Sequence, residues 1–280
     1  MTAPIHLALI GHGKLGLALR THGAPLGRIR LVQDRHKAQA TLIELPQPER
    51  VPAVITALQA GHIVLCPPPV ALDAAELAAI EQAQNAGGGR LLPAGEIAHT
   101  PAGRRGLAEM AAPAFGPLRS LYIAIRQPRG PGPDVLDSLL PEALDMVLAA
   151  IPDTFTSARI NAASLFGPER DTAIILLRTD SDIVVTLELS RCLPPTLPAP
   201  GLGEIEIDAM GAHQAIRIAA SAGAVSVYRD DGTTTHPWLD SPALAMLRAL
   251  EHAHGTPQTA PSGLTRAFRA LAVDGLIRGK

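Results

Sequence analysis

A glycine motif that directly follows a short apolar run is the feature that most constrains the fold of this chain. Ile5 to Ile10 are apolar apart from His6, which is typical of a buried parallel strand. The motif, G-x-G-x-x-G, consists of Gly11, His12, Gly13, Lys14, Leu15 and Gly16. At a strand-to-helix turn, such glycines permit the turn, let the backbone approach a pyrophosphate and let the helix pack against the strand. The sequence therefore predicts a dinucleotide-binding turn.

An acidic residue ends the next apolar run. Ile29 to Gln33 predict a second strand, and Asp34 follows it, 23 positions after Gly11. An acid near this spacing hydrogen-bonds the adenosine ribose of a dinucleotide. Asp34 favours NAD, whereas the neighbouring Arg35 and Lys37 can hold the additional phosphate of NADP or remain solvated surface charges. NAD or NADP is therefore the expected cofactor, and a tight turn without any ligand is the alternative.

The segment after Asp34 alternates between strands and helices. Three strands are predicted, at Thr41 to Pro46, His62 to Cys66 and Arg90 to Leu92. Two helices are predicted between them, at about Pro52 to Ala60 and at Asp73 to Ala86, with Asp73 as N-cap. This alternation is typical of a doubly wound, Rossmann-type α/β domain, which we assign to residues 1–116.

The pattern changes to closely spaced strands after residue 116. The predicted strands are Leu118 to Arg126, Arg159 to Ser164, Thr172 to Thr179, Ile183 to Ser190, Glu204 to Met210, Ala215 to Ala219 and Ala224 to Tyr228. The predicted helices are Asp137 to Ala150, Ser241 to His254 and Leu264 to Arg278, and the proline-rich run Cys192 to Gly203 is predicted as a loop. Residues 117–280 should form an α+β domain with a large, mostly antiparallel sheet, and its C-terminal helix should pack back near the first domain.

Composition excludes several classes of function. The formal net charge is −2 and no dense run of Lys or Arg occurs, so nucleic acid or an anionic membrane is not expected as a partner. Cys66 and Cys192 lack metal-ligand spacing, so reduced thiols and no metal are expected. No signal sequence or sufficiently long apolar stretch is present, which predicts a cytoplasmic protein. Lysine occurs only at positions 14, 37 and 280, so lysine chemistry is nearly excluded.

Taken in order, these motifs resemble the Gfo/Idh/MocA (glucose-fructose oxidoreductase / inositol dehydrogenase) family. The resemblance includes the glycine motif, Asp34-Arg35, Leu45-Pro46, Ala57 to Cys66 and Pro69 to Leu72. It implies an NAD(P)-dependent oxidoreductase that transfers hydride between a nicotinamide and a small carbonyl, imine or conjugated substrate. It also implies cofactor contacts from Leu45, Pro46 and Cys66 besides the motif, Asp34 and Arg35. Cys66 is alternatively a small buried hydrophobic residue.

The chain departs from the family at its catalytic positions. Where the family has a Glu-Lys-Pro triplet, this chain has three prolines, with Pro68 in place of the lysine. A family histidine aligns near Arg50. Only six residues separate Asp34 from Thr41, too few for the usual helix and strand. Biliverdin reductases resemble the same family and also lack the lysine, so a conjugated substrate is one interpretation.

Two acids are the candidate catalytic groups. The family's His-x-x-Asp pair aligns with Glu142 and Asp145, which lie three residues apart and would share one face of a helix. If this face borders the substrate, mutual repulsion would raise one pKa and create a general acid. The alternative is an amphipathic helix that displays two solvated acids. Glu96 and His99 could reach the same place, although an isolated loop histidine such as His99 is more often a surface residue.

Two functions from different classes remain open. The first is an oxidoreductase, and the second is a relative that has lost catalysis and serves as a binding or assembly subunit. Family members commonly pair through the open face of the second sheet. The segment Thr172 to Ser190 contains consecutive apolar residues, which cover both sides of a strand, so a homodimer or tetramer is expected.

Overall fold

The computed structural model describes residues 3–21, 27–196, 203–219, 224–237, 242–255 and 263–279, and the chain forms two compact units. The first unit comprises Met1–Thr100 and Asp240–Leu271, and the second comprises Pro101–Leu239 and Ala272–Lys280. The division falls at Thr100 rather than at residue 116. In addition, part of the C-terminal segment belongs to the first unit.

A five-stranded parallel sheet forms the centre of the first unit. Its strands are β1 (Ile5–Gly11), β2 (Ile29–Val32), β3 (Ala40–Glu44), β4 (Ile63–Cys66) and β5 (Arg90–Pro93). They are ordered β2-β1-β3-β4-β5. Successive side chains point to opposite faces of a strand, and Leu42 and Ile43 accordingly belong to two different hydrophobic clusters. Both faces are therefore buried, which explains why the strands are apolar throughout.

Helices cover both faces of this sheet. They are α1 (Lys14–Thr21), α2 (Gln47–Gln59), α3 (Ala74–Gly87), α4 (Glu96–His99), α8 (Pro242–Gly255) and the part of α9 (Gly263–Arg278) that precedes residue 272. Residues of α1 and α8 pack in one cluster, and residues of α2, α3 and α9 pack in the other. The Asp73 carboxylate caps α3 and Gly88 ends it in a left-handed conformation, which confirms the predicted bounds to within a residue or two.

The helix predicted from about Pro52 begins at Gln47 instead. Pro48 lies in its first turn, where a missing N–H donor has no cost, and Pro52 lies inside the helix. The predicted start was wrong because it was placed at Pro52 instead of just before Pro48.

The connection between β2 and β3 confirms the predicted shortening. Arg35–Lys37 form one turn of 3-10 helix, and the chain then enters β3 on the opposite side of β1. The common doubly wound order is 3-2-1-4-5-6, in which a further strand lies outside the second one, and the five described strands of this sheet include no such strand. In the described part of the chain, β2 is consequently an edge strand.

An eight-stranded sheet forms the second unit. Its strands are β6 (Leu118–Pro128), β7 (Phe155–Ala163), β8 (Thr172–Thr179), β9 (Val184–Leu193), β10 (Glu204–Gly211), β11 (Ala215–Ala219), β12 (Ala224–Arg229) and β13 (Gly232–Pro237). The order is β13-β12-β11-β10-β6-β9-β8-β7, and only the β6–β9 pair is parallel. The predicted fold class, a Rossmann-type domain with a mostly antiparallel α+β domain, is therefore confirmed.

Several predicted elements of the second unit differ from the structure. One predicted helix is two, α6 (Val135–Ser138) and α7 (Leu140–Ala150). Strand β9 extends into the predicted proline-rich loop as far as Leu193, whereas residues 197–202 of that loop lie outside the described residues, as does Ser241. The sequence did not predict β13 or helix α5 (Pro101–Met110).

Helix α5 accounts for the displaced boundary between the units. It packs against β11 and β12, and a Cβ atom on Gly106 would lie 2.3 Å from the Ile218 side chain. A glycine inside a helix lowers helix propensity, which hid this element in the sequence, but here it permits close packing on the sheet.

Candidate functional site

The glycine motif forms the turn between β1 and α1, as predicted. Gly11 ends the strand with φ of +98°, and a Cβ atom there would lie 2.2 Å from the backbone oxygen of Glu44. Only glycine combines this backbone conformation with so close an approach. Helix α1 then begins at Lys14, so the N–H groups of its first turn lie at the carboxyl edge of the sheet.

The side chain of Glu44 binds these N–H groups. Leu15 N donates to one carboxylate oxygen at 3.0 Å, and Gly16 N donates to the other at 2.6 Å. Glu44 is the last residue of β3 and is paired with Gly11 across the sheet, which brings its side chain to the start of α1. A negative charge at a helix N-terminus is favourable because the partial charge there is positive. Glu44 therefore acts as a cap supplied from a neighbouring strand.

The glycines of the motif make room for this carboxylate. A Cβ atom on Gly13 would lie 2.3 Å from Glu44 Oε1, and one on Gly16 would lie 2.9 Å from Glu44 Oε2. A pyrophosphate would need the same N–H groups and the same space. The backbone thus suits an anion, as the bound carboxylate shows, but the Glu44 side chain in this position does not fit a dinucleotide.

Glu44 was missed in the sequence, where it was counted only as a strand residue. The carboxyl ends of parallel strands meet at one edge of a sheet, so an acid that ends β3 could have been placed beside the turn that follows β1. To place Glu44 there, one must know that β3 lies next to β1 in the sheet, and this strand order was not predicted from the sequence.

Two further charges surround the same edge. Burial raises the pKa of Glu96, the first residue of α4, while Lys14 lowers it and Glu44 raises it. The carboxylates of Glu44 and Glu96 and the ammonium of Lys14 therefore interact electrostatically at this edge. His99 lies on the same short helix rather than in a loop. It bonds through Nε2 to the carbonyl of Pro93 at 2.8 Å and is half-buried.

Asp34 and Arg35 lie at the end of β2 and are exposed. Asp34 Oδ1 accepts a hydrogen bond from His36 N at 3.0 Å, and its other oxygen is 3.6 Å from Lys37 Nζ. The carboxylate thus caps a surface turn. These local contacts are compatible with Asp34 as a ribose ligand and with Asp34 as a surface charge. Both interpretations therefore stay predictions.

The loops that follow β3 and β4 are tied together by Arg50. Its Nε donates to the carbonyl of Leu45 at 2.9 Å and its Nη1 to the carbonyl of Pro69 at 2.6 Å. Gln47 Nε2 also donates to Pro69 O, at 2.8 Å. The family histidine aligns near Arg50. The hydrogen bonds to Leu45 and Pro69 give Arg50 a structural role that the alignment did not suggest. Pro46 immediately precedes α2.

Cys66 ends β4 and is fully buried. Burial raises the pKa of its thiol to about 12, so the nucleophilic thiolate is not populated at neutral pH. This supports the interpretation of Cys66 as a small buried hydrophobic residue. The next three residues are prolines, joined by a cis bond between Pro68 and Pro69, and Pro68 offers no proton donor.

Glu142 and Asp145 lie in the second unit, on α7, and are 7% and 4% exposed. The alternative that they are two solvated acids is therefore wrong. Their predicted catalytic role stays a prediction, and the glycine turn belongs to the first unit.

Among the described residues, no set of His, Cys, Asp and Glu side chains is arranged to hold a metal ion. The helices of this part of the chain include none with the length and apolar character that a membrane crossing requires.

Known structures share this fold. A UDP-N-acetylglucosamine 3-dehydrogenase from Acidithiobacillus ferrooxidans is 20% identical, with a TM-score of 0.78 over 99% of this chain and 98% of its own. The chain shares its fold with this dehydrogenase. An NAD-binding oxidoreductase from Klebsiella pneumoniae and an oxidoreductase from Agrobacterium radiobacter in complex with NAD+, L-tartaric acid and magnesium are each 16% identical, with TM-scores of 0.78 over 99% of this chain and 96% of theirs. Neither a protein-family model nor a curated protein sequence matches.

Proposed function

We propose that this chain is an NAD(P)-dependent oxidoreductase of the Gfo/Idh/MocA type that acts on a small carbonyl, imine or conjugated molecule. The observation that carries the proposal is the glycine turn at the carboxyl edge of a parallel sheet, where the N–H groups of α1 already bind an anionic group. A dinucleotide pyrophosphate binds at this position in doubly wound folds. Two oxidoreductases with the same fold support it, the NAD-binding one from Klebsiella pneumoniae and the one from Agrobacterium radiobacter in complex with NAD+.

The proton donor in this proposal is Asp145 or Glu142. Both are buried on α7, away from bulk solvent, and a carboxyl group is one of the side-chain groups that serve as general acids. Pro68 has no titratable group. A conjugated substrate would make different demands on a proton relay than a hydroxyl or carbonyl of a sugar, which keeps a biliverdin-reductase-like substrate within the proposal.

A second candidate function is a relative without catalysis that acts as a binding or assembly subunit. The observation that favours it is the Glu44 carboxylate at the phosphate position, together with Pro68 in place of the family lysine. A chain no longer selected for turnover would tolerate both.

Cofactor titration separates the two functions. We expect NADH or NADPH to bind the wild-type protein, even if weakly, and Gly13→Trp to abolish this binding because the indole would fill the space beside the α1 amides. Binding would be followed by nicotinamide fluorescence. Gly167→Trp is the matched control, since a Cβ atom there meets nothing within 4 Å. Retained binding in Gly13→Trp would refute the position of the site, and no binding at millimolar cofactor in the wild type and in Glu44→Ser would refute the oxidoreductase.

We also propose a homodimer or tetramer formed through the open face of the eight-stranded sheet. Ile174, Leu176 and Val184 are 50%, 45% and 44% exposed there, whereas the alternate residues Ile175 and Leu177 are buried. Adjacent exposed apolar side chains on a monomer often mark an interface. We expect Ile174→Glu with Leu176→Glu to give a monomer in analytical ultracentrifugation, and Leu165→Glu, at an exposed apolar residue outside the strands, to leave the assembly intact. A wild-type monomer would contradict the proposal.

A further inference from the structure

We propose that Glu44 is an internal competitor for the dinucleotide pyrophosphate, so that its carboxylate must leave the N-terminus of α1 before a cofactor binds. This inference rests on the proposed function. It assigns to Glu44 the control of affinity at the glycine turn.

The first argument is mutual exclusion. The two carboxylate oxygens accept from Leu15 N and Gly16 N, and the carboxylate lies where Cβ atoms on Gly13 and Gly16 would lie. A phosphate oxygen at this helix end would need these donors and this volume. Two anions cannot share them, since each would lose its hydrogen bonds and repel the other.

The second argument is that Glu44 is able to leave. Its side chain is only partly buried, and in the described part of the chain its only side-chain hydrogen bonds are those to the two α1 amides. It forms no salt bridge with a described residue at 4.0 Å or less. Rotation of the side chain would therefore exchange two hydrogen bonds for contacts with water, and the strand that carries it would stay in place.

The third argument concerns charge. Lys14 is the cation that interacts electrostatically with the second carboxylate, Glu96, and Glu44 acts on Glu96 with the opposite sign. Replacement of Glu44 by a neutral residue would remove one negative charge from this edge of the sheet, which would make it a more favourable environment for a diphosphate.

The competition predicts tighter binding when the carboxylate is removed. We expect Glu44→Ser to bind NADH or NADPH at least about tenfold more tightly than the wild type, which corresponds to about 1.4 kcal/mol. Glu44→Gln keeps the shape and one acceptor oxygen but removes the charge, so an intermediate gain is expected. Glu49→Gln, at an exposed acid on α2, is the matched control and should leave the affinity unchanged.

A second probe tests the inference without the cofactor. Inorganic pyrophosphate should raise the melting temperature of Glu44→Ser by more than that of the wild type, because the anion replaces the lost cap of α1. The control Glu49→Gln should behave like the wild type. Circular dichroism spectra would establish that each variant is folded.

The outcomes distinguish the inference from the proposed function. Equal NADH affinity in the wild type and both Glu44 variants would overturn the competition while leaving the oxidoreductase intact. If no variant binds NADH or NADPH, the oxidoreductase is refuted. The competition for anions then stands only if Glu44→Ser gains more stability from pyrophosphate than the wild type does, and an equal gain overturns it.

Discussion

Replacement of Gly11 by alanine is expected to lower the free energy of unfolding by about 3 kcal/mol or more. Two costs add at this position. The backbone has φ of +98°, which L-residues with a Cβ rarely adopt, and the new methyl group would lie 2.2 Å from the Glu44 backbone oxygen. Because the obstacle belongs to a central strand rather than to a flexible side chain, it cannot move without disturbing the β1–β3 pair. Chemical denaturation followed by circular dichroism would measure the change.

Gly88→Ala separates the two costs. Gly88 also has positive φ, of +71°, but a Cβ atom there meets nothing within 4 Å. We expect a loss of about 1 kcal/mol, from the backbone conformation alone. If Gly11→Ala cost no more than Gly88→Ala, then β3 would not approach the turn as closely as the structure shows.

Arg126→Met is expected to destabilise the second unit by about 2 kcal/mol. The guanidinium donates to both oxygens of Glu188, at 2.6 and 2.9 Å, to the Tyr122 hydroxyl at 2.9 Å and to Glu206 at 3.3 Å. Removal of this cation would leave the two carboxylates without their shared partner on a sheet face where Arg126 and Glu188 are less than one-third exposed. Thermal unfolding would measure the loss.

The same variant should alter the dependence of stability on pH. The hydrogen bond from Arg126 is the main cause that lowers the pKa of Glu188. A depressed carboxyl pKa contributes stability above the pKa of the unfolded chain, about 4.3, and this contribution is lost as the pH falls through the folded value. Arg126→Met should therefore flatten the stability curve below about pH 4.3. Arg159→Met, at an exposed arginine on β7 of the same sheet, is the control and should follow the wild type. An unchanged slope in Arg126→Met would contradict the assignment.

Local sequence signals predicted most of the first unit. The strands are buried on both faces and are therefore continuous apolar runs, and α3 has both a capping aspartate and a terminal glycine. The shortening after β2 was also predicted, because six residues between Asp34 and Thr41 cannot form a helix and a strand. These features depend on neighbouring residues alone.

Features that depend on tertiary contacts were not predictable in this way. Helix α5 contains Gly103 and Gly106 and has low helix propensity, so its packing on β11 and β12 determines its conformation. At the candidate site, the glycine turn followed from the motif, but the contact between Glu44 and α1 did not. It joins residues 28 and 29 positions apart and depends on the pairing of β1 with β3.

The position of β2 at the edge of its sheet has a consequence for solubility. An edge strand offers unpaired backbone groups to which another chain can add, and proteins limit this risk with short strands and charged flanks. β2 has four residues, includes Arg30, and lies between Arg28 and the basic turn Arg35–Lys37. These cations would repel a second copy of the same strand, so β2, which is an edge strand in the described part of the chain, carries its own protection against aggregation.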